Sequence, residues 1–345
     1  MVGVMCPACA LTSLTPLADL GGMPVACGNT FPTPMQARLS PRGQMLLASC
    51  ASCGHVANIA FDASLARFDA TFEAALFHSP TYTDYATGVV ERLVKRYSLE
   101  GRRVLEIASG ATVLVDRLAS LGCEASGVPD TTVHASDFVL ARFVLEHLAD
   151  PYALLREMRK HATHAFIEVP DAGYDLTTAG WDCIYPHVGY FSASSLSALL
   201  ARAGWAVLEM GTAFNDQYLW AEVGSIGLSN LDTLPAPSFE PRFAEATAHW
   251  RAFLPGRRAV VWGAGTRGTM FCNRVDPAGT LLEGVVDRNP AKHGRYLPLA
   301  GHRVLSPTEL PSLRPDTVVL TNPAYRNEIA AELASLGLHP DVLVA

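Results

Sequence analysis

Apolar residues recur at helical spacing from Tyr85 to Tyr97, through Val89, Val90, Leu93 and Val94, and predict an amphipathic helix there. The run Arg103–Ile107 is short and mostly apolar and predicts a buried strand. Helical periods follow over Val113–Leu121, Pro151–His161 and Ser194–Ala203. Strand patterns fall between them, at Ala125–Val128, Ser136–Ala141 and His164–Val169, and Ala206–Gly211 and Gln217–Val223 read as a closing antiparallel pair. The Pro-rich stretch Leu234–Ser238 reads as a linker. A helix is predicted over Phe243–Phe253, and a second strand–helix alternation runs from Arg258 to the C-terminus. The N-terminal segment is rich in Cys, Pro, Gly and Thr and lacks a helical period. The pattern divides the chain into residues 1–64, 65–228 and 229–345, the last two being α/β units with parallel sheets.

Composition agrees with real cores: 49% of the 345 residues are hydrophobic and 17% are charged. The net charge is −7, and no run of Lys and Arg exceeds two residues, as at Arg102-Arg103 and Arg257-Arg258. A nucleic-acid partner is therefore not expected. No stretch approaches the ~20 apolar residues of a membrane span. The N-terminus lacks a basic start and apolar core, so no signal peptide and a cytoplasmic location are expected.

Candidate chemistry sits in five places. Cys6-Pro-Ala-Cys9 and Cys50-Ala-Ser-Cys53 are two knuckles that together offer four thiolates, the set of a structural zinc site with no open position. Cys27 lacks a partner at knuckle spacing, and Cys123, Cys183 and Cys272 read as ordinary buried residues. Glu106 ends a strand ahead of Ala108, Gly110 and Thr112, a strand-to-helix turn of the kind that holds nucleotides, but with one glycine. Asp130 follows the next strand one place late, behind Pro129. His187 lies in the aromatic loop Trp181–Ser192 with Tyr185 and Tyr190, where a shielded imidazole can act as general base or simply be hydrogen-bonded in the loop. Gly263, Gly265 and Gly268 form a full GxGxxG after a strand, and Asp287 follows at the spacing of a dinucleotide fingerprint. That turn is open to NAD(P) or another nucleotide, or to plain helix–strand packing.

The segment Ala141–Leu148, with Arg142, Glu146 and His147, resembles the post-strand segment of class I methyltransferases, which lies beside the cofactor. Taken in order, the pieces resemble the zinc-carrying C-methyltransferases that act on nucleotide-linked keto-sugars. The resemblance rests on the knuckles, on Ile167–Pro170, on His187 ahead of Tyr190-Phe191-Ser192, and on Trp262–Gly265, Val286–Tyr296, Ser306-Pro307 and Glu328-Ile329. It implies a zinc-knuckle domain, a class I methyltransferase-like Rossmann domain and a C-terminal Rossmann-like domain. It also implies S-adenosylmethionine as methyl donor, His187 as base, Tyr185 holding the enolate oxygen or orienting the ring, and Tyr82, Asn215, Asp216 and Gln217 near a small-molecule substrate.

Three departures weigh against a full cofactor site. Pro186 replaces the family's glutamate, and Ala108 replaces the first glycine of the loop. Only Thr131–His134 separate Asp130 from the next strand pattern, too short for a helix and strand. The alternative expectation is a degenerate fold that binds no S-adenosylmethionine and serves in proton transfer or as a binding protein.

Overall fold

The computed structural model describes residues 4–65, 73–109, 112–225 and 234–345, arranged on three sheets. The central sheet has six strands in the order Glu124–Val128, Arg103–Ile107, Phe138–Arg142, His164–Pro170, Tyr218–Gly224 and Ala206–Ala213. Its first four strands are parallel and the last two close it as an antiparallel hairpin.

Alternate residues of these strands enter two different cores. Leu105, Ile107, Val139, Ala141, Ala165 and Ile167 face one side, and Val104, Phe138, Leu140 and Phe166 the other. Both faces are covered, as a parallel sheet requires. The helix Pro80–Tyr97 covers the second face with Tyr82, Ala86, Val90 and Leu93. It starts a turn earlier than its apolar period suggests, because the Ser79 side chain caps it and Pro80 fills the first helical position. The helices Pro151–His161 and Ala193–Arg202 cover the first face through Leu154, Leu155, Met158, Leu196, Leu199 and Leu200.

The strands Glu124–Val128 and Phe138–Arg142 flank Arg103–Ile107, and residues 129–137 connect them without any helix. A parallel crossover ordinarily takes a dozen or more residues, usually with a helix. The expected shortening is therefore real, and it bares this edge of the sheet.

The knuckle sheet is antiparallel, in the order Thr15–Pro24, Arg42–Ser49, Val56–Asn58 and Gly189–Tyr190. Its last strand comes from the aromatic loop between the fourth strand of the central sheet and the closing hairpin, so the two layers share chain. The linker packs as well: Gly54, at φ +71°, lies so close to Pro237 that an added Cβ would stand 2.3 Å from its ring. The C-terminal sheet is parallel, in the order Val304–Leu305, Gly284–Val286, Ala259–Trp262, Thr317–Leu320 and Asp341–Val344. Among the described residues no helix is long and apolar enough to cross a membrane.

Candidate functional site

In each α/β sheet the first strand lies inside, with its successors on both sides. Ligands of such sheets bind outside the carboxyl ends of the strands at that switch point. Here the two switch points face each other across one cavity. Ser109, Phe143 and Pro170, just beyond or at the ends of central strands, line it from one side. Gly263, Gly265, Asp287 and Thr321, beyond the C-terminal strands, line it from the other. Phe143 holds a left-handed backbone at φ 54°. Its N–H donates to the Glu168 carbonyl (2.8 Å), and its ring meets Tyr218 edge-on. A bulky residue in that region costs of order 1 kcal/mol or more and marks a place where the surroundings fix the chain.

Glu146, His147 and His187 form the central-sheet wall of the cavity. The Glu146 and His147 pair ends the short turn Leu145–His147, and His187 comes from the aromatic loop. The two imidazole rings stand 5.1 Å apart, centre to centre. Burial, with His187 adding to it, pushes His147 down to about 3. Burial likewise pushes His187 down to about 4, with Asp182 opposing. Both rings are therefore neutral at neutral pH. The Nδ1 of His187 is buried without a hydrogen-bond partner among the described residues.

The facing wall is held by a buried polar chain. Arg267, in the helix Thr266–Val275, donates to Gln217 Oε1 (2.8 Å) and lies 3.4 Å from Asp182 and 3.9 Å from Asp175. Gln217 in turn donates to Asn322 Oδ1 (3.0 Å). Burial would raise Asp182, but Arg267 holds it below the usual carboxylate range. Arg267 was not singled out from sequence; its only signal is its position inside the GxGxxG turn.

The glycine turn does two separate things. Gly268 packs the helix on the strand, since an added Cβ would stand 1.9 Å from the Gly263 carbonyl oxygen. Gly263, at φ +108°, and Gly265 face open space. The N-terminus of the helix Thr266–Val275 carries no side-chain cap. Asp287 accepts from the Ala264 and Asn289 amides (2.7 and 2.8 Å), so each of its oxygens closes the loop.

The four knuckle thiols come together. Cys6 and Cys53 Sγ are 3.7 Å apart, and Cys9 and Cys50 Sγ 3.6 Å. Bonds of about 2.3 Å to one tetrahedral zinc place sulfurs roughly 3.8 Å apart, so the set fits that ion. The Leu11 N–H points at Cys9 Sγ (3.5 Å), and Thr12 Oγ1 lies 3.1 Å from Cys50 Sγ.

Several expected site residues stand elsewhere. Tyr185 is fully buried against the knuckle sheet, where its hydroxyl takes the Asp62 N–H (2.8 Å) and does not reach the cavity. Tyr190 turns its hydroxyl to the Ile184 carbonyl (3.2 Å) and its ring against His187, so it supports the loop. Asp130 is exposed and caps its own turn at the Thr132 N–H (2.7 Å). Glu106 accepts from the Leu114 N–H (3.0 Å) at the start of the next helix, and burial raises it to about 7. Arg142 is buried in an ion pair with Glu168 (2.6 Å) beside Tyr82, behind the cavity wall. Asn215 and Asp216 are exposed on a left-handed turn; their neighbour Phe214 packs inward on Tyr218 and Tyr325. Gly110 lies outside the described residues.

Two family models match the chain. A methyltransferase domain matches residues 42–210, and a C-methyltransferase C-terminal domain matches residues 238–338. Among solved structures, an S-adenosylmethionine-dependent methyltransferase from Aquifex aeolicus is 14% identical, covering 46% of this chain and 100% of its own, at TM-score 0.36. Magnesium protoporphyrin IX methyltransferase from Synechocystis PCC 6803 is 14% identical over 42% of this chain and 84% of its own, at TM-score 0.32. An N-methyltransferase from Bradyrhizobium japonicum is 14% identical over 42% and 97%, at TM-score 0.31. A comparison with curated proteins finds no significant relative. The two α/β units thus match, in order along the chain, a methyltransferase domain and a C-methyltransferase C-terminal domain.

Proposed function

We propose that the protein methylates a carbon next to a ketone in a nucleotide-linked sugar, with His187 as the base, and that Cys6, Cys9, Cys50 and Cys53 hold a structural zinc ion. The observation that carries this reading is a cavity shared by two sheet ends, with a buried imidazole in its wall. A methyl donor at Ser109, Phe143 and Glu146 would lie within reach of an acceptor at His187. S-adenosylmethionine, when bound, supplies an electrophilic methyl group on sulfonium. His187 would take the proton alpha to the ketone on a ring nitrogen, and the C–H electron pair would become the enolate, whose carbon would bond to the methyl group as the methyl–sulfur bond breaks and its electron pair leaves with S-adenosylhomocysteine.

The nucleotide end of the acceptor falls at the glycine turn. Gly265 leaves room there, and the uncapped helix end presents N–H groups and a positive dipole to a diphosphate. Asp287 is engaged by two amides of its own loop, which favours a diphosphate at this turn over NAD(P) gripped through its ribose.

The test is a pair of assays on wild type and His187→Gln with S-adenosylmethionine and keto-sugar nucleotides. Deuterium exchange at the alpha carbon and S-adenosylhomocysteine release should both fall by at least ~100-fold in the variant. Titration with S-adenosylmethionine should give the same affinity in both. Undiminished exchange in the variant removes His187 from the reaction. Absence of binding to wild type removes methyl transfer.

A further inference from the structure

Glu146, His147 and His187 arrive from two segments and turn towards one point on the cavity wall. One oxygen or nitrogen from each lies within 4.8 Å of the corresponding atoms of the other two. Glu146 Oε1 stands 3.9 Å from His147 Nε2. The side chains of Glu146 and His147 are 2% and 8% exposed.

The hydrogen bonding of His147 is that of a metal ligand. His147 Nδ1 lies 3.0 Å from the Pro186 carbonyl oxygen. A carbonyl only accepts, so the ring proton sits on Nδ1, and Nε2 turns a lone pair towards Glu146. Histidines that bind metals are commonly fixed in this way, with the second nitrogen donating to a backbone carbonyl. His187 Nδ1 is a second buried ring nitrogen, and it has no hydrogen-bond partner among the described residues. Two imidazole nitrogens and one carboxylate, with a cavity on the remaining side, suit a divalent transition-metal ion that keeps an open position. Bonds of about 2.1 Å would draw the three atoms to roughly 3.3 Å from one another, a side-chain movement of about 1 Å.

We propose that Glu146, His147 and His187 bind a divalent transition-metal ion such as Zn²⁺ in the cavity wall, apart from the thiolate site, and that the bound ion keeps His187 from accepting a proton. The exclusion follows because coordination uses a lone pair that proton acceptance needs. It rests on His187 being the base, whereas the binding does not.

The probe is Co²⁺, titrated into full-length protein that already carries thiolate-bound zinc. The expected result is one further equivalent with visible d–d bands and no added thiolate charge-transfer absorption. Glu146→Gln and His147→Gln should each abolish that equivalent while the first zinc stays in place. No further equivalent in wild type overturns the site, as does one that persists in both variants. Methyl transfer should fall in proportion to occupancy when Zn²⁺ is added. Full turnover at full occupancy overturns the exclusion. Because the titration reads metal and not turnover, a failure of His187 as base leaves its outcome intact.

Discussion

Arg267 of the C-terminal helix donates to Gln217 at the edge of the central hairpin, 2.8 Å away and buried. The contact joins the two faces of the cavity, and among the described residues the same guanidinium is the cation paired with both Asp182 and Asp175. Removing one member of a buried charge group leaves the rest uncompensated, at a cost of about 3–5 kcal/mol. Arg267→Ala should therefore lower the denaturation midpoint well beyond what a surface Arg→Ala change does. Gln217→Leu should lower it less, because it removes no charge. Equal, small shifts in chemical denaturation for both would show that the buried chain does not hold the faces together.

Cys50→Ser should release the knuckle ion. Cys6, Cys50 and Cys53 pack into the same core as Leu105, Ile107 and Leu199, so the loss reaches the central sheet. Metal analysis should show the thiolate-bound zinc gone. The thermal midpoint should fall by roughly 2–4 °C for each kcal/mol lost. Unchanged zinc content would refute the site.

Glu106 ties stability to pH. Burial raises its carboxyl from 4.5 to about 7, so the folded chain holds that proton more tightly than the unfolded chain does. Between those values the unfolded state binds fewer protons, and stability falls as pH rises. The contribution is full below about pH 4.5 and declines by up to about 3 kcal/mol once pH passes 7. Glu106→Gln keeps an acceptor for the Leu114 N–H and has nothing to titrate. Urea denaturation at about pH 5 and pH 8 should show a smaller difference for the variant. The same difference in both would place the proton elsewhere.

Much of the frame was legible because it depends on period. Arg103–Ile107 and Pro151–His161 fall where their patterns put them, since the strand is an apolar run buried on both faces and the helix buries i, i+4 positions against one core. Which side of a loop an aromatic faces has no such signature. Tyr185 turns away from the cavity because Gly43, on a neighbouring strand, leaves space for its ring; an added Cβ there would stand 2.0 Å from Cε2. Glu146 and His187 are each visible as candidates, but their meeting depends on how the aromatic loop returns to the knuckle sheet. Arg267 has no local signature for a related reason: its partners come from the central hairpin and the aromatic loop, far away in sequence.

The glycine turn offers a test that separates folding from binding. Gly268 touches backbone, and Gly268→Ala would force a methyl group to within 1.9 Å of the Gly263 oxygen. The helix would have to shift, at a cost of about 1–3 kcal/mol or more. Gly265 has an ordinary negative φ of −86°, and an added Cβ meets nothing within 4 Å. Gly265→Ala should therefore leave the thermal midpoint within a degree or so of wild type. If the acceptor's diphosphate rests on this turn, the new methyl group would occupy its place. KM for the nucleotide-linked acceptor should rise at least tenfold, with S-adenosylmethionine affinity unchanged. A destabilised Gly268→Ala beside a fully active Gly265→Ala would mean that the glycines serve packing alone, and that the acceptor is held elsewhere in the cavity.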